Sequence, residues 1–578
     1  MFRTGCSSPD RDPAWLVAAL SLLAAAAFWS PAFFRPQATG NLDWTYFHGM
    51  WEAGFVALTR YGEWPLWNPY HCGGASVHGN PQSQLLSPLF LLALPLGPTI
   101  GLKVVLVLHA WAGAAGMYLL GRSERLSRAS SLLAASVWSI SGFFAGHMFL
   151  GHAAYLPFFF APCLLLAWRA APTSRRCLAA AALMLFLTLL EGGVYPSLYF
   201  LLMLAFESVA SMSSRKRARR IARTVLVGAS LTILLSAVRI LPVLEQLARF
   251  PRTIQVRDRL TLAELLEVLT ARSHDLTFGQ HAYVWPGYSL YVGWAVLALA
   301  VAGVFAAWKA KHYRPLLGAL LFLSLTLGNW GELSPYHLLK QVPVYDSLRQ
   351  PATFRVIFSL YLALLAAHGF EFLCTRLAAL GRTSAIRDSL FRRAAALLVA
   401  AIIVDLWSVQ WPVVDFWNGA AIARDAAMEP FRVTDARVWE SASFPQRNIT
   451  SRRCYEPQGI QPAGGLWVGK SPQVMALTPW ATLDRFERTT ATVSFRALLR
   501  EPGRVLINQN AAPGWSSNVG SLTEQDGLLA VDLLAGENEV RLEYSAPMLV
   551  EGGCLTLLGL VLTAVVASRP KWPDRARA

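Results

Sequence analysis

Three observations predict a polytopic α-helical membrane protein of about twelve transmembrane helices, with an extracytoplasmic β-sandwich-like domain before the last of them. First, 54% of the 578 residues are hydrophobic and only 15% are charged, which is too apolar for an ordinary soluble protein. Second, the basic residues behind the net charge of +16 lie in short loops between apolar runs, as the positive-inside rule describes. Membrane topology accounts for that charge, so no nucleic-acid partner is implied. Third, from Pro412 to Ala546 long apolar runs give way to short alternating ones, the pattern of strands.

Apolar runs that could cross the membrane fall at about 15–34, 100–120, 129–149, 154–170, 178–190, 194–212, 224–247, 290–308, 315–327, 356–373, 394–411 and 548–567. The inner side is marked by Arg122, Arg125 and Arg128, by Arg169, Arg175 and Arg176, and by the SRKRARRIAR stretch at 214–223. Further along, Lys309, Lys311 and Arg314, then Arg376, Arg382, Arg387, Arg392 and Arg393, then Arg569 and Lys571 do the same. Both termini are then cytoplasmic. The first run has no small-residue cleavage site and reads as an uncleaved helix. Residues 85–96, cut by Pro88 and Pro95, read as a short or re-entrant piece. Late in the chain ATVSFRALL, GRVLINQN, LLAVDLLAG and NEVRLEY read as strands, with Gly536-Glu537-Asn538 as a hairpin turn. The chain thus divides into a transmembrane part at 1–411, an outer β-rich domain at 412–547, and a last helix with its tail at 548–578.

The loop at 41–88 carries the unusual residues. Trp44, Phe47, Trp51, Phe55 and Leu58 recur at helical spacing and predict a helix lying along the membrane surface. Asp43, just before them, reads both as the helix N-cap and as a carboxylate held for general-base or metal-ligand work, and the two are compatible. The rest of the loop is rich in Gly, Pro, Asn and aromatics, as in functional loops and in interfacial aromatic anchors alike. His48, Glu52, Asn68, His71, Asn80 and Gln82, with His152 from the next outer turn, are candidates for substrate binding. His147 and His152 bracket a span end, where hydrogen-bonded histidines are favoured over metal ligands. Arg349 and Arg355 flank Pro351 at the head of a span. They suit either headgroup anchoring or a two-pronged grip on a lipid phosphate. Polar residues within the spans gather near the outer ends, which favours a site at the outer interface. Cys72 and Cys454 are the cysteines placed outside, which allows a disulfide between them. No Cys/His cluster, G-x-S-x-G, Walker or HExxH signature is present, so no metal site is predicted.

Several of these features together resemble a known family. They are Asp43 after the first span, WPLWNPYHCGG followed by NPQSQ, the Gly-His at His152, the R-x-P-x-x-x-R of Arg349 to Arg355, and AAPGWSSNVG with LAGENEVRLEYSAP before the last span. The chain resembles the YfhO-type bacterial membrane proteins, which are similar to glycosyltransferases of the GT-C class. The resemblance implies a plasma-membrane enzyme that moves a sugar from a polyprenyl-phosphate donor to an envelope glycan, lipid or protein on the outer face. It implies Asp43 as catalytic base and Arg349 and Arg355 as holders of the donor phosphate. No tightly bound cofactor is implied, and a divalent cation that helps the phosphate leave stays open. Where relatives carry a GH-Q-type stretch this chain has Glu191-Gly192-Gly193-Val194-Tyr195-Pro196, and no role is carried to it. A transporter or flippase of lipid-linked saccharides, or a non-catalytic envelope-assembly component, would use many of the same features. A flippase calls for an inverted repeat and a polar path through the bilayer, and neither is evident.

Overall fold

The computed structural model describes residues 12–250, 258–348, 350–380, 385–424, 428–454 and 462–569. Seven helices are long and apolar enough to cross a membrane: Pro98–Ser123, Arg128–Phe149, Ala153–Ala170, Gly293–Ala310, Pro351–Ala379, Leu390–Val414 and Leu549–Ser568. Arg215–Leu235 and Ala237–Arg249 meet at a 73° bend and make an eighth crossing if they count as one span. The chain thus has the helices of a multi-pass membrane protein, but a count of about twelve is not established. Ala14–Phe28, Val194–Ala210 and Arg314–Thr326 are shorter apolar helices. At 13 to 17 residues they reach about 20–26 Å, against a hydrocarbon core of about 30 Å.

The helix Arg355–Leu380 runs through the centre of the bundle, and its first half is buried nearly all round. It lies so close to Gly293–Ala310 that a Cβ added at Gly369 would meet the Leu299 carbonyl oxygen at 1.8 Å. Only glycine permits that approach.

The helix predicted along the membrane surface forms at Asp43–Arg60, but it is not amphipathic in its setting. Trp44, Phe47 and Trp51 are buried as expected, and so are Thr45, His48 and Glu52 on the other faces. A segment from far along the chain covers the side that local periodicity assigns to water. Phe416 and Trp417 stack near Trp44 at 6.3 and 4.9 Å between ring centroids, and Ser441 Oγ donates to the Thr45 carbonyl. Nor is Asp43 the N-cap. The cap is Leu42, with φ +54° and no side-chain capping bond, and Asp43 is the first helical residue.

The remainder of the loop is a docking device. Trp67–Asn68 pairs antiparallel with Ala75–Ser76, and the Trp67 ring lies against Trp515 and Tyr544 of the β-domain at 5.5 and 4.8 Å. Asn510 Nδ2 donates to the carbonyls of Cys72 and Gly74 at 2.7 and 2.8 Å. Cys72 and Cys454 form a disulfide, with Cα atoms 5.0 Å apart. The WPLWNPYHCGG string therefore holds the two halves of the molecule together.

The β-domain consists of two four-stranded antiparallel sheets. One runs Ser521–Gln525, Leu528–Leu533, Gly503–Asn510, Val474–Ala476. The other runs Ala481–Arg488, Thr492–Leu499, Gly536–Tyr544, Trp515–Ser517. Val493, Phe495, Val505, Ile507, Val531 and Leu542 meet between them, the arrangement of a sandwich. The four predicted strands are all present. The expected hairpin turn at Gly536-Glu537-Asn538 is not: these residues begin a strand, and the chain crosses from one sheet to the other at Leu534 and Ala535.

Candidate active site

A cavity of about 670 Å³ opens where several element ends converge. The start of Asp43–Arg60 supplies Asp43, the loop supplies Gln82, and the chain after Gly142–Phe149 supplies His152. Tyr155, Tyr195 and Tyr199 come from the next elements, Tyr283 from the segment before Gly293–Ala310, and Thr353 from the head of the central helix. Asp415, just beyond the end of Ala385–Val414, adds a second carboxyl group.

Three of the predicted site residues, Asp43, Gln82 and His152, share this wall. The Gly-His pair has a steric origin. Gly151 has φ +85°, and a Cβ there would come within 2.2 Å of the Trp44 amide nitrogen. The glycine lets the chain pass against the start of the Asp43 helix, where the Asp43 amide donates to the Leu150 carbonyl at 3.1 Å.

From Asp43 a chain of polar contacts runs inward. His152 Nε2 is 3.5 Å from Asp43 Oδ2, His152 Nδ1 is 2.7 Å from His147 Nδ1, and His147 Nε2 is 2.9 Å from Arg355 Nη2. Arginine can only donate, so its position dictates the protonation of both rings. His147 Nε2 accepts from Arg355, His147 Nδ1–H donates to His152 Nδ1, and His152 is left with its proton on Nε2, facing Asp43. One carboxylate oxygen of Asp43 is thereby oriented by an imidazole N–H.

Arg355 itself is fully buried and away from the cavity wall. Its Nε donates to the Ser289 carbonyl, its Nη1 to Ala352, and its Nη2 to Gly287 as well as His147. The sequence reading has Arg355 on a donor phosphate; here four of its five N–H donors are taken by protein acceptors. Arg349, the other predicted phosphate ligand, lies outside the described residues.

The remaining predicted residues are placed elsewhere. Asn68, His71 and Asn80 line a separate cavity of about 20 Å³, too small for a sugar. There Asn80 Nδ2 donates to the Tyr46 hydroxyl at 2.5 Å, and burial pushes His71 down to about 4. His48 is buried inside the loop helix. Burial first, then the charges of Lys103 and Arg424, push it down to about 3, so it stays neutral. Glu52 is fully buried and accepts from Arg424 Nη2 at 2.7 Å and Gln446 Nε2 at 2.9 Å. These partners make it an anchor for the loop helix, not a cavity-facing group.

Sequence reasoning missed the tyrosines. Tyr195 and Tyr199 stand four apart on one helix face and Tyr155 three beyond His152, a spacing visible in the chain but common among apolar helices. It also assigned nothing to Glu191. This carboxyl group is buried beside the loop, accepts from Ser87 Oγ, and is pushed up to about 7 by burial, with the Ser87 bond opposing. Gln84 Nε2 donates to its backbone carbonyl at 3.2 Å, so the NPQSQ string is seated on the Glu191-Gly192-Gly193 turn.

The segment carrying Leu276, Tyr283 and Gly287 forms one cavity wall and is fastened by His281. Its Nδ1 lies 3.0 Å from Asp258 and its Nε2 3.1 Å from Glu264. Burial pulls this histidine down, but the hydrogen bonds and charges of Asp258 and Glu264 outweigh it, and the group is raised above its ordinary value. A raised folded-state value means the stabilisation is complete below about pH 6.5 and is lost as pH climbs through the higher folded value. Amide exchange across 258–292, corrected for intrinsic rates, is therefore expected to quicken above neutral pH in the wild type and to lose that dependence in His281→Gln. A flat wild-type profile would remove the clamp.

Among the described residues one group, Glu124, His312 and His368, has ligand atoms close enough to share a cation. It lies at the other end of the helices from this cavity.

The chain matches no family model and no curated protein. Its fold is similar to solved structures. Arabinofuranosyltransferase AftD from Mycobacteria is 17% identical, with a TM-score of 0.44 over 70% of this chain. ArnT from Cupriavidus metallidurans in the apo state is 12% identical, with a TM-score of 0.45 over 76% of this chain and 85% of its own. The Archaeoglobus fulgidus oligosaccharyltransferase in the apo form is 11% identical, with a TM-score of 0.43 over 76% of this chain and 64% of its own. This chain spans 27% of AftD. At such scores and identities these likenesses fix neither a family nor the role of any residue, and membership of the YfhO-type proteins is not established by them.

Proposed function

We propose that this protein is an integral-membrane glycosyltransferase of the GT-C type, similar to the YfhO proteins. It moves a sugar from a polyprenyl-phosphate donor to an envelope glycan, lipid or protein on the outer face of the bacterial plasma membrane. The observation that carries the reading is the orientation of Asp43 at a large cavity by a histidine whose proton position is dictated from behind.

In the proposed reaction the acceptor hydroxyl lies against the Asp43 carboxylate, which takes its proton as the new bond forms to the anomeric carbon. The bond between that carbon and the phosphate oxygen breaks, and its electron pair leaves with the phosphate. His152 holds the carboxylate, and His147 and Arg355 act through it as positioning residues. Arg349, at the head of the central span, is the proposed partner of the departing phosphate, since a guanidinium can hold two of its oxygens. The tyrosines offer rings and hydroxyls to the sugar.

The test is sugar transfer by purified protein in nanodiscs, supplied with labelled polyprenyl-phosphate sugars and a crude envelope extract as acceptor. Label moving from lipid to acceptor is the expected result. Labelled lipid that binds or crosses the bilayer without any transfer would overturn the enzyme in favour of a flippase.

A further inference from the structure

A second cavity, of about 310 Å³, lies at the opposite end of the helices that begin at the candidate active site. Tyr195 faces the first cavity and Glu207 the second. They are twelve residues apart on Val194–Ala210, or about 18 Å at helical rise.

Its charge is one-sided. Arg169, Lys216, Arg217, Arg220 and Arg314 line it together with a single acid, Glu207. That acid is already occupied. It accepts from Arg169 at 2.9 and 3.0 Å and from the Tyr361 hydroxyl at 2.8 Å, and lies 3.8 Å from Arg314. Arg169 is further neutralised by Glu124, which also accepts from His368. Lys216, Arg217 and Arg220 have no carboxylate partner among the described residues. The floor is thus internally balanced, while the rim keeps three cations turned toward an unfilled space.

Exposed apolar residues lie close to the lining residues in sequence. Val209 and Met212, next along the chain from lining residues Ser208 and Ser211, are 68% and 43% exposed. Leu317, one helical turn beyond Arg314, is 49% exposed. A small soluble anion would satisfy the cations but leave these side chains uncovered. A molecule with a phosphate at one end and acyl chains at the other satisfies both.

We infer that this cavity binds the phosphate-bearing headgroup of an anionic lipid in the leaflet opposite the candidate active site, with Lys216, Arg217 and Arg220 on the phosphate and the chains against Val209, Met212 and Leu317. The inference rests on the multi-pass membrane architecture and is independent of the chemistry at Asp43.

The test uses the full-length protein in a neutral detergent, titrated with phosphatidylglycerol, phosphatidylcholine or inorganic phosphate, with bound molecules counted by native mass spectrometry. Wild type is expected to prefer phosphatidylglycerol by about tenfold or more, since a basic residue near such a surface contributes about 1 kcal/mol. Arg217→Gln/Arg220→Gln is expected to lose that preference, and Arg392→Gln/Arg393→Gln, which removes two exposed cations from the helix Ala385–Val414, to keep it. If the first double variant fails to fold, Lys216→Gln takes its place. Unchanged preference in the pocket variants would overturn the site. Displacement of phosphatidylglycerol by inorganic phosphate at equal concentration would overturn the lipid and leave a soluble-anion site.

Discussion

Asp43→Asn is expected to lower sugar transfer by about 10²- to 10⁴-fold, the range associated with loss of a positioned general base, while leaving thermal stability close to wild type. The substitution is nearly isosteric, and the amide oxygen can still accept from His152 Nε2, so the orienting contact survives. What disappears is the capacity to take a proton. The stability side follows from the helix start. Leu42 is the cap and carries no side-chain capping bond, and Asp43 is the first helical residue. An acid in the first turn of a helix contributes about 0.3–1 kcal/mol through the dipole at an exposed position, and Asn keeps the shape and an accepting oxygen of that side chain. Transfer rate and melting temperature measured on the same preparation separate the two roles. Transfer within a few-fold of wild type would reduce Asp43 to a dipole partner and remove the base from the proposed mechanism.

The largest loss of stability is expected from Arg424→Ala. Glu52 is fully buried, and Arg424 is its only cationic partner among the described residues, with Gln446 supplying the second bond. Removing one member of a buried pair strands the other charge and typically costs about 3–5 kcal/mol. The damage would not be local, because Glu52 lies on the helix that starts at Asp43, while Arg424 and Gln446 come from the segment that covers it. Glu52→Leu/Arg424→Leu should recover much of the loss, since replacing both charges removes the desolvation penalty with them. Thermal unfolding in detergent reads both variants. A loss below about 1 kcal/mol for Arg424→Ala would mean that Glu52 is relieved by water, and the pair would then be a surface one in effect.

Much of the architecture was legible because it depends on local composition. Apolar runs marked most of the bundle, and alternation found four strands of the sandwich but not Ala481–Arg488. The errors share a cause, which is contact between residues distant in the chain. The surface-helix reading of 43–60 assumed that one face meets water, yet Phe416, Trp417 and Ser441, nearly 400 residues on, occupy that face. Arg355 has the spacing of a phosphate ligand, but Ser289, Ala352, Gly287 and His147 take four of its five donors. Asn68 and His71 read as substrate residues from their company, and the β-domain packs around that company for structural reasons. Asp43 and His152 stand at the starts of elements and Gln82 in the loop between two others, places where a cavity between elements can open. The expected outer catalytic loop at 41–88 serves as a clasp on the β-domain as well, with the candidate chemistry at its leading edge.

The bond between Cys72 and Cys454 joins residues 382 positions apart, and this sets an order of events during synthesis. At about 5–20 residues per second, the first thiol waits roughly 20–80 seconds for its partner to be made. For most of that interval the helix bearing Asp43 lacks the segment that covers it and Glu52 lacks Arg424, while Trp67 waits longer still for Trp515 and Tyr544. A chain halted before Asn418 would lack part of the cavity lining, and one halted before Tyr544 part of the seat for Trp67. The bond between Cys72 and Cys454 therefore cannot close, nor Trp67 take its seat against Trp515 and Tyr544, until long after the helix bearing Asp43 has been made.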